Sequence, residues 1–122
     1  MATLRIIGNK KLSGKIRVAG NKNSVLPIMA ACLLTNQTCT LKNVPKISDV
    51  EVMAKLLALS GVEISGVGTH TLTICAKNVK ATMFPNELTQ KLRASVLLLG
   101  PMLSRVGEVS MGYPGGDIIG RR

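Results

Sequence analysis

The sequence predicts an α/β or α+β unit with an aliphatic core. Three observations predict it. Short apolar stretches bounded by Gly, Pro and Asn alternate with longer segments of helical period. One of those segments, "KISDVEVMAKLLALSG", carries both a start and a stop signal. Apolar residues make up 46% of the 122 residues but aromatic residues only 2%, so Val, Ile, Leu, Met and Ala must fill the interior. That length is enough for one small domain with its own core.

Element by element, "LRIIGNKKLSGKIRVAG" reads as two strands joined around Gly8 to Gly14 in a hairpin. "NKNSVLPIMAACLLT" follows as a helix, with Asn23 or Ser24 as cap and Pro27 accommodated in the first turn. It is apolar nearly all round and is expected to be buried on most faces. "TCTLKNVP" is a strand that ends at Pro45. In the next helix, Ser48 and Glu51 have capping-box spacing. Val50, Met53, Leu56, Leu57 and Ser60 keep the helical period, and Gly61 stands where a C-cap belongs. "VEIS", "GVGTH" and "TLTICA" read as strand, turn and strand, with His70, the single histidine, a solvated turn residue.

"PNELTQKLRASVLLLGPMLSRVG" reads as one more amphipathic helix from Pro85 or Asn86, with Leu88, Leu92, Val96 and Leu99 on one face. Gly100–Pro101 is expected to kink or end it. "GEVSMGY" is a strand, and "YPGGDIIGRR" a glycine-bearing loop. Residues 21–76 thus hold helix, strand, helix, strand, strand. A second unit starts near Val79 and is unfinished at Arg122, which predicts that the chain is part of a longer protein.

Charge and cysteines narrow the function classes. Sixteen Lys and Arg against six Asp and Glu give a net charge of +10, which favours anionic partners. The cations form no run of five or six, and stacking platforms for single strands are scarce. A small basic nucleic-acid-binding module is therefore the weaker class, and a steep salt dependence of binding would mark it. Cys32, Cys39 and Cys75 have no CxxC spacing and fit reduced thiols, with Cys32 a small core residue. No segment approaches the length of a membrane span, and no signal-peptide pattern opens the chain.

Three places could carry chemistry. Lys22 and Asn23 stand at the start of the first helix, where free N–H groups and a lysine make a site for phosphate or carboxylate. The same pair also describes a solvated loop lysine beside an ordinary cap. Arg93 lies about 100° round the helix from the Leu88–Leu92–Val96 stripe, as a ligand or a snorkelling arginine would. Gly115 and Gly116 permit positive φ or close backbone approach before Asp117. Asp117 can donate a proton at neutral pH only if its carboxyl is raised from about 3.9, and Arg121 and Arg122 oppose that unless bound anions cancel their charge. A plain Gly-Gly-Asp turn has the same pattern.

Together, "GNKNSVLPIMAACLL", "LKNVPKISDVEVMAKLLALSG", "LTQKLRASVLLLGPMLSRVG" and "PGGDIIGRR" resemble, in order and across essentially the whole chain, the N-terminal part of the UDP-N-acetylglucosamine enolpyruvyl transferase family. The resemblance implies an inside-out α/β barrel of βαβαββ repeats. Residues 1–20 would be a strand pair of the other, catalytic lobe. Residues 21–122 would be a partial lobe, with one complete repeat at about 21–77 and the start of a second that ends in the catalytic loop.

It also implies the reaction. The enolpyruvyl group of phosphoenolpyruvate passes to the 3-hydroxyl of UDP-N-acetylglucosamine by addition and elimination, the first committed step of peptidoglycan synthesis. Lys22 and Asn23 would contact phosphoenolpyruvate, Arg93 the nucleotide sugar, and Arg122 both. Asp117 stands where most members carry cysteine as general acid, which implies insensitivity to the thiol-alkylating epoxide fosfomycin. Arg121 stands where a small residue is usual and is given no role. No cofactor or metal, a cytoplasmic location, and a monomer when full length are implied as well. Neither nucleic acid nor membrane is an implied partner, and the fragment alone is expected to be inactive. The related shikimate-pathway transferase is the alternative within the enzyme class, and the acid-bearing "PGGDIIGRR" loop argues against it.

Overall fold

The computed structural model describes residues 2–116, so Asp117, Arg121 and Arg122 lie outside the described residues. Helix α1 spans Lys22–Ala31. Its cap is Asn21, whose side chain accepts a 2.7 Å hydrogen bond from the Asn23 N–H. The expected caps, Asn23 and Ser24, are instead inside the first turn, because Asn21, one residue ahead of Lys22, takes the capping position and accepts from the Asn23 N–H. Pro27 falls in the second turn rather than the first, and the Asn23 carbonyl it leaves without a helical partner belongs to an exposed residue. The helix buries one face, Val25, Leu26, Met29 and Ala30, and leaves Ile28 exposed, so it is less enclosed than its composition implies.

A 3₁₀ turn at Cys32–Leu34 leads to β1, Thr38–Lys42. Helix α2 spans Ser48–Leu59. Ile47 is its cap and Ser48 its first helical residue, so the expected Ser48–Glu51 capping box does not form. Acids in the first turn, Asp49 and Glu51, complement the helix dipole there. The C-terminus matches expectation. Gly61 adopts φ +83°, its N–H reaches the Ala58 carbonyl, and the Val62 N–H reaches back to Leu57. This is a Schellman closure, and a side chain at Gly61 would press on the Asn78 carbonyl.

Strands β2, Glu63–Ser65, and β3, Thr71–Cys75, pair antiparallel, and β1 joins on the other edge of β3 to give the order β1-β3-β2. Cys39, Ile74 and Ile64 share one cross-strand row, and Leu41 faces Leu72 in the next. That alternation puts one apolar face toward the helices. His70 is exposed as expected, and its Nδ1 lies 2.8 Å from the Val44 carbonyl. The expected order over residues 21–76 is therefore observed.

The second unit departs from expectation. A short strand the sequence reading missed, β4 at Met83–Phe84, pairs in parallel with β5 at Ser110–Met111. Between them the single expected helix is in three pieces: α3 at Asn86–Thr89, a 3₁₀ segment at Arg93–Leu98, and α4 at Leu99–Val106. The break falls at Leu92, which is extended at φ −137°, not at Gly100–Pro101, which sit in the first turn of α4. Pro is tolerated there because first-turn N–H groups need no α-helical partner. The 3₁₀ segment has three residues per turn, so the buried stripe runs Leu92, Ser95, Leu98 and then Met102. Val96, expected on that stripe, is exposed.

No strand forms in residues 2–20, so the expected hairpin is absent among the described residues. Leu4, Ile6, Ile7, Leu12, Ile16 and Val18 are all at least 78% exposed. A two-stranded ribbon needs something to bury its apolar face against, and these six side chains have no such cover here.

The core is aliphatic, with Leu26, Met29, Leu33, Met53, Leu56, Leu57, Leu72 and Ile74 fully enclosed and Phe84 the single buried aromatic. Cys32 belongs to it, as expected. Burial, with the neighbouring Cys39 adding to it, pushes the Cys32 thiol up to about 12. At pH 8 it is almost wholly neutral, so of the three cysteines Cys32 is the last to be alkylated by iodoacetamide in the folded chain. Mass mapping that finds Cys32 modified before Cys39 and Cys75 would contradict this packing.

Candidate active site

The first turns of α1 and α2 lie side by side. Lys22 is the first helical residue of α1, and Asp49 the second of α2. The Lys22 ammonium and the Asp49 carboxylate pair at 2.6 Å. With Lys22 56% exposed, the pair contributes at most about 1 kcal/mol to stability, so its interest lies in where it holds the ammonium. The 3₁₀ segment beginning at Arg93 packs across both helices. A cleft of about 530 Å³ opens between them, lined by Lys22, Asn23, Asp49, Lys91, Arg93 and Gly116 over a floor that includes Leu26, Leu92 and Leu97.

Three of the expected site residues, Lys22, Asn23 and Arg93, therefore face one cavity although Arg93 is far from the other two in sequence. Lys91 is a further lining cation that sequence reasoning missed. On a continuous helix Lys91 and Arg93 would point well apart. The break at Leu92 is what brings both to one rim. Among the described lining residues, three cations face one carboxylate, which suits a ligand carrying more than one negative charge.

The same break seats the glycine loop. Freed from regular helix, the Thr89 carbonyl accepts a 2.9 Å hydrogen bond from the Gly115 N–H. The buried Ser95 hydroxyl also donates to it, at 3.4 Å. Gly115 lies so close to Gln90 that a methyl group there would overlap the Gln90 carbonyl. Gly116 adopts φ +111°, and a Cβ on it would stand 2.8 Å from the Arg93 Cβ. Both uses expected of the pair, close approach and positive φ, are met. The loop thus reaches the cleft rim at Gly116, immediately before Asp117.

The sequence model of EPSP synthase (3-phosphoshikimate 1-carboxyvinyltransferase) matches residues 6–122. The chain belongs to the EPSP synthase family. Within that family, it is 48% identical over 124 residues to the UDP-N-acetylglucosamine 1-carboxyvinyltransferase of Bradyrhizobium diazoefficiens, and 43% identical over 122 residues to that of Helicobacter acinonychis. Both alignments cover 100% of this chain and 29% of the relative. The chain thus spans under a third of the length of these family members. Among solved structures it is similar to the enolpyruvyl transferase NikO from Streptomyces tendae, with a TM-score of 0.67 and 25% identity over 80% of this chain and 23% of that one. The truncated α/β enolpyruvyl transferase fold expected from the resemblance is the fold observed.

Proposed function

We propose that these residues form part of an enzyme that transfers the enolpyruvyl group of phosphoenolpyruvate to the 3-hydroxyl of UDP-N-acetylglucosamine and releases phosphate. The observation that carries this reading is the convergence of Lys22, Asn23 and Arg93 on one cleft whose rim is the glycine loop. In this reading Lys22, at the positive end of α1, holds the phosphate and carboxylate of phosphoenolpyruvate, with Asn23 beside it. Arg93 holds the nucleotide sugar, and Arg122 serves both ligands. Asp117 protonates the methylene carbon as the sugar oxygen adds to the neighbouring carbon and gives up its hydroxyl proton to a general base. The tetrahedral adduct then loses a proton from the new methyl group and expels phosphate, which restores the double bond.

Residues 1–20 would pack as a strand pair on a second lobe outside this chain, which accounts for their uncovered apolar side chains. The 122-residue chain would be inactive by itself. In the same reading the full-length enzyme works as a monomer in the cytoplasm, on small-molecule substrates, at the first committed step of peptidoglycan synthesis.

The family model bears the name of the shikimate enzyme, while the relatives at 43–48% identity bear that of the nucleotide-sugar enzyme. A chimera separates the two. These 122 residues replace the matching segment of the Bradyrhizobium relative, and phosphate release is followed with each acceptor. Release that requires phosphoenolpyruvate and UDP-N-acetylglucosamine together is expected. Release with shikimate 3-phosphate instead, or with neither, overturns the proposal.

A further inference from the structure

We propose that Asp49 is a positioning residue for Lys22, aiming its ammonium into the cleft. This deepens the reading above and rests on it for the identity of the ligand. Asp49 is the single acid among the described residues that line the cleft. It is recessed, 23% exposed against 56% for Lys22, so the carboxylate forms a back wall and the ammonium stands in front. An ammonium has three N–H donors. The 2.6 Å contact fixes one of them on Asp49 Oδ2, and this constrains where the other two point.

The two groups arrive on different helices. Each is held in a first turn rather than on a loop, so the direction of the Lys22 Nζ is tied to the packing of α1 on α2. Lys91 and Arg93, facing the cavity from the broken helix, repel the Lys22 ammonium, and so does the N-terminal end of α1. Asp49 is the group among the described lining residues that offsets them. Asp49 also sits where an acid stabilises the start of α2, a purely structural role that must be told apart.

The test uses Asp49→Asn, which keeps the shape of the side chain and removes its charge. In the chimera, kcat/KM for phosphoenolpyruvate is expected to fall tenfold or more while KM for UDP-N-acetylglucosamine stays within twofold. Asp49→Glu is expected to recover most of the loss. In a Lys22→Gln background Asp49→Asn is expected to weaken phosphoenolpyruvate binding no further. Equal losses for both substrates, or the same loss with and without Lys22, would show a structural role and overturn the proposal.

A second readout needs no turnover. Trace acetylation of the 122-residue chain at neutral pH, read by mass spectrometry, is expected to label Lys22 at least threefold faster in Asp49→Asn, because the amine is no longer held against a carboxylate. An unchanged rate overturns the positioning role even where the chimera is active. A chimera that releases no phosphate, with Lys22 labelling raised as expected, leaves Asp49 in place and removes only the assigned reaction.

Discussion

In the chimeric enzyme, Asp117→Asn is expected to lower kcat by about 10²–10⁴-fold with little change in KM for either substrate, the range over which a positioned general acid acts. The amide has the size and polarity of the carboxyl but no acidic proton. Protonation of the methylene carbon makes the neighbouring carbon electrophilic, so without it the sugar hydroxyl has nothing to attack. Asp117→Cys restores a donor. An ordinary thiol titrates near 8.5 and an ordinary carboxyl near 3.9, so the alkaline limb of kcat is expected at higher pH in the Cys variant than in the parent. A thiolate is also the better nucleophile. The Cys variant is therefore expected to be irreversibly inactivated by fosfomycin, while the Asp parent is not. Full activity in Asp117→Asn, or time-dependent inactivation of the parent by fosfomycin, would remove Asp117 from the role proposed for it.

The largest expected stability effect lies away from the cleft, at Arg105. This half-buried side chain on α4 donates from one guanidinium nitrogen to the Leu33 carbonyl at 2.9 Å and from the other to the Ala76 carbonyl at 3.0 Å. It joins the 3₁₀ turn after α1, the end of β3 and α4, which are distant in sequence. Both acceptors belong to buried residues, so removing the donors leaves two carbonyls without these partners. Arg105→Met keeps much of the aliphatic stem and is expected to cost about 3 kcal/mol, since hydrogen bonds to a charged group are worth about 1.5–3 kcal/mol each and part of that is returned by no longer desolvating the cation. Arg105→Lys keeps the charge but not the fork that spans both acceptors, and is expected to recover less than half. Urea unfolding at constant m reads the difference, and a midpoint unchanged in Arg105→Met would show that these bonds do not hold the two units together.

Arg105 was invisible in the sequence, where it reads as one more cation in the last turn of a helix. Its two partners are main-chain carbonyls, and those carry no residue-type signal. Lys91 was missed for a related reason. On a regular helix it has no claim to the side that Arg93 occupies. Lys22, Asn23 and Arg93 were legible as candidates because each sits in a recognisable local setting, a helix start or the edge of an apolar stripe. Their meeting in one cleft was not. The clearest failure, the continuous helix through Leu92, came from a stripe that fits 3.6 residues per turn as well as a broken segment does. Tertiary contacts chose the break, by burying Leu92, Ser95 and Leu98 in threes and giving the Thr89 carbonyl to Gly115.

What the sequence by itself determined was the kind and order of elements over residues 21–76, the aliphatic core, and the Gly61 stop. Those follow from near-neighbour periodicity and from backbone angles that only certain residues adopt, which are local properties. The tertiary structure alone decided which helix starts face one another, where the last helix divides, and which loop reaches the rim of the cleft. Those depend on non-local pairs such as Lys22 with Asp49 and Gly115 with Thr89, and a pairing between distant main-chain or charged groups leaves no periodic trace in the chain that makes it.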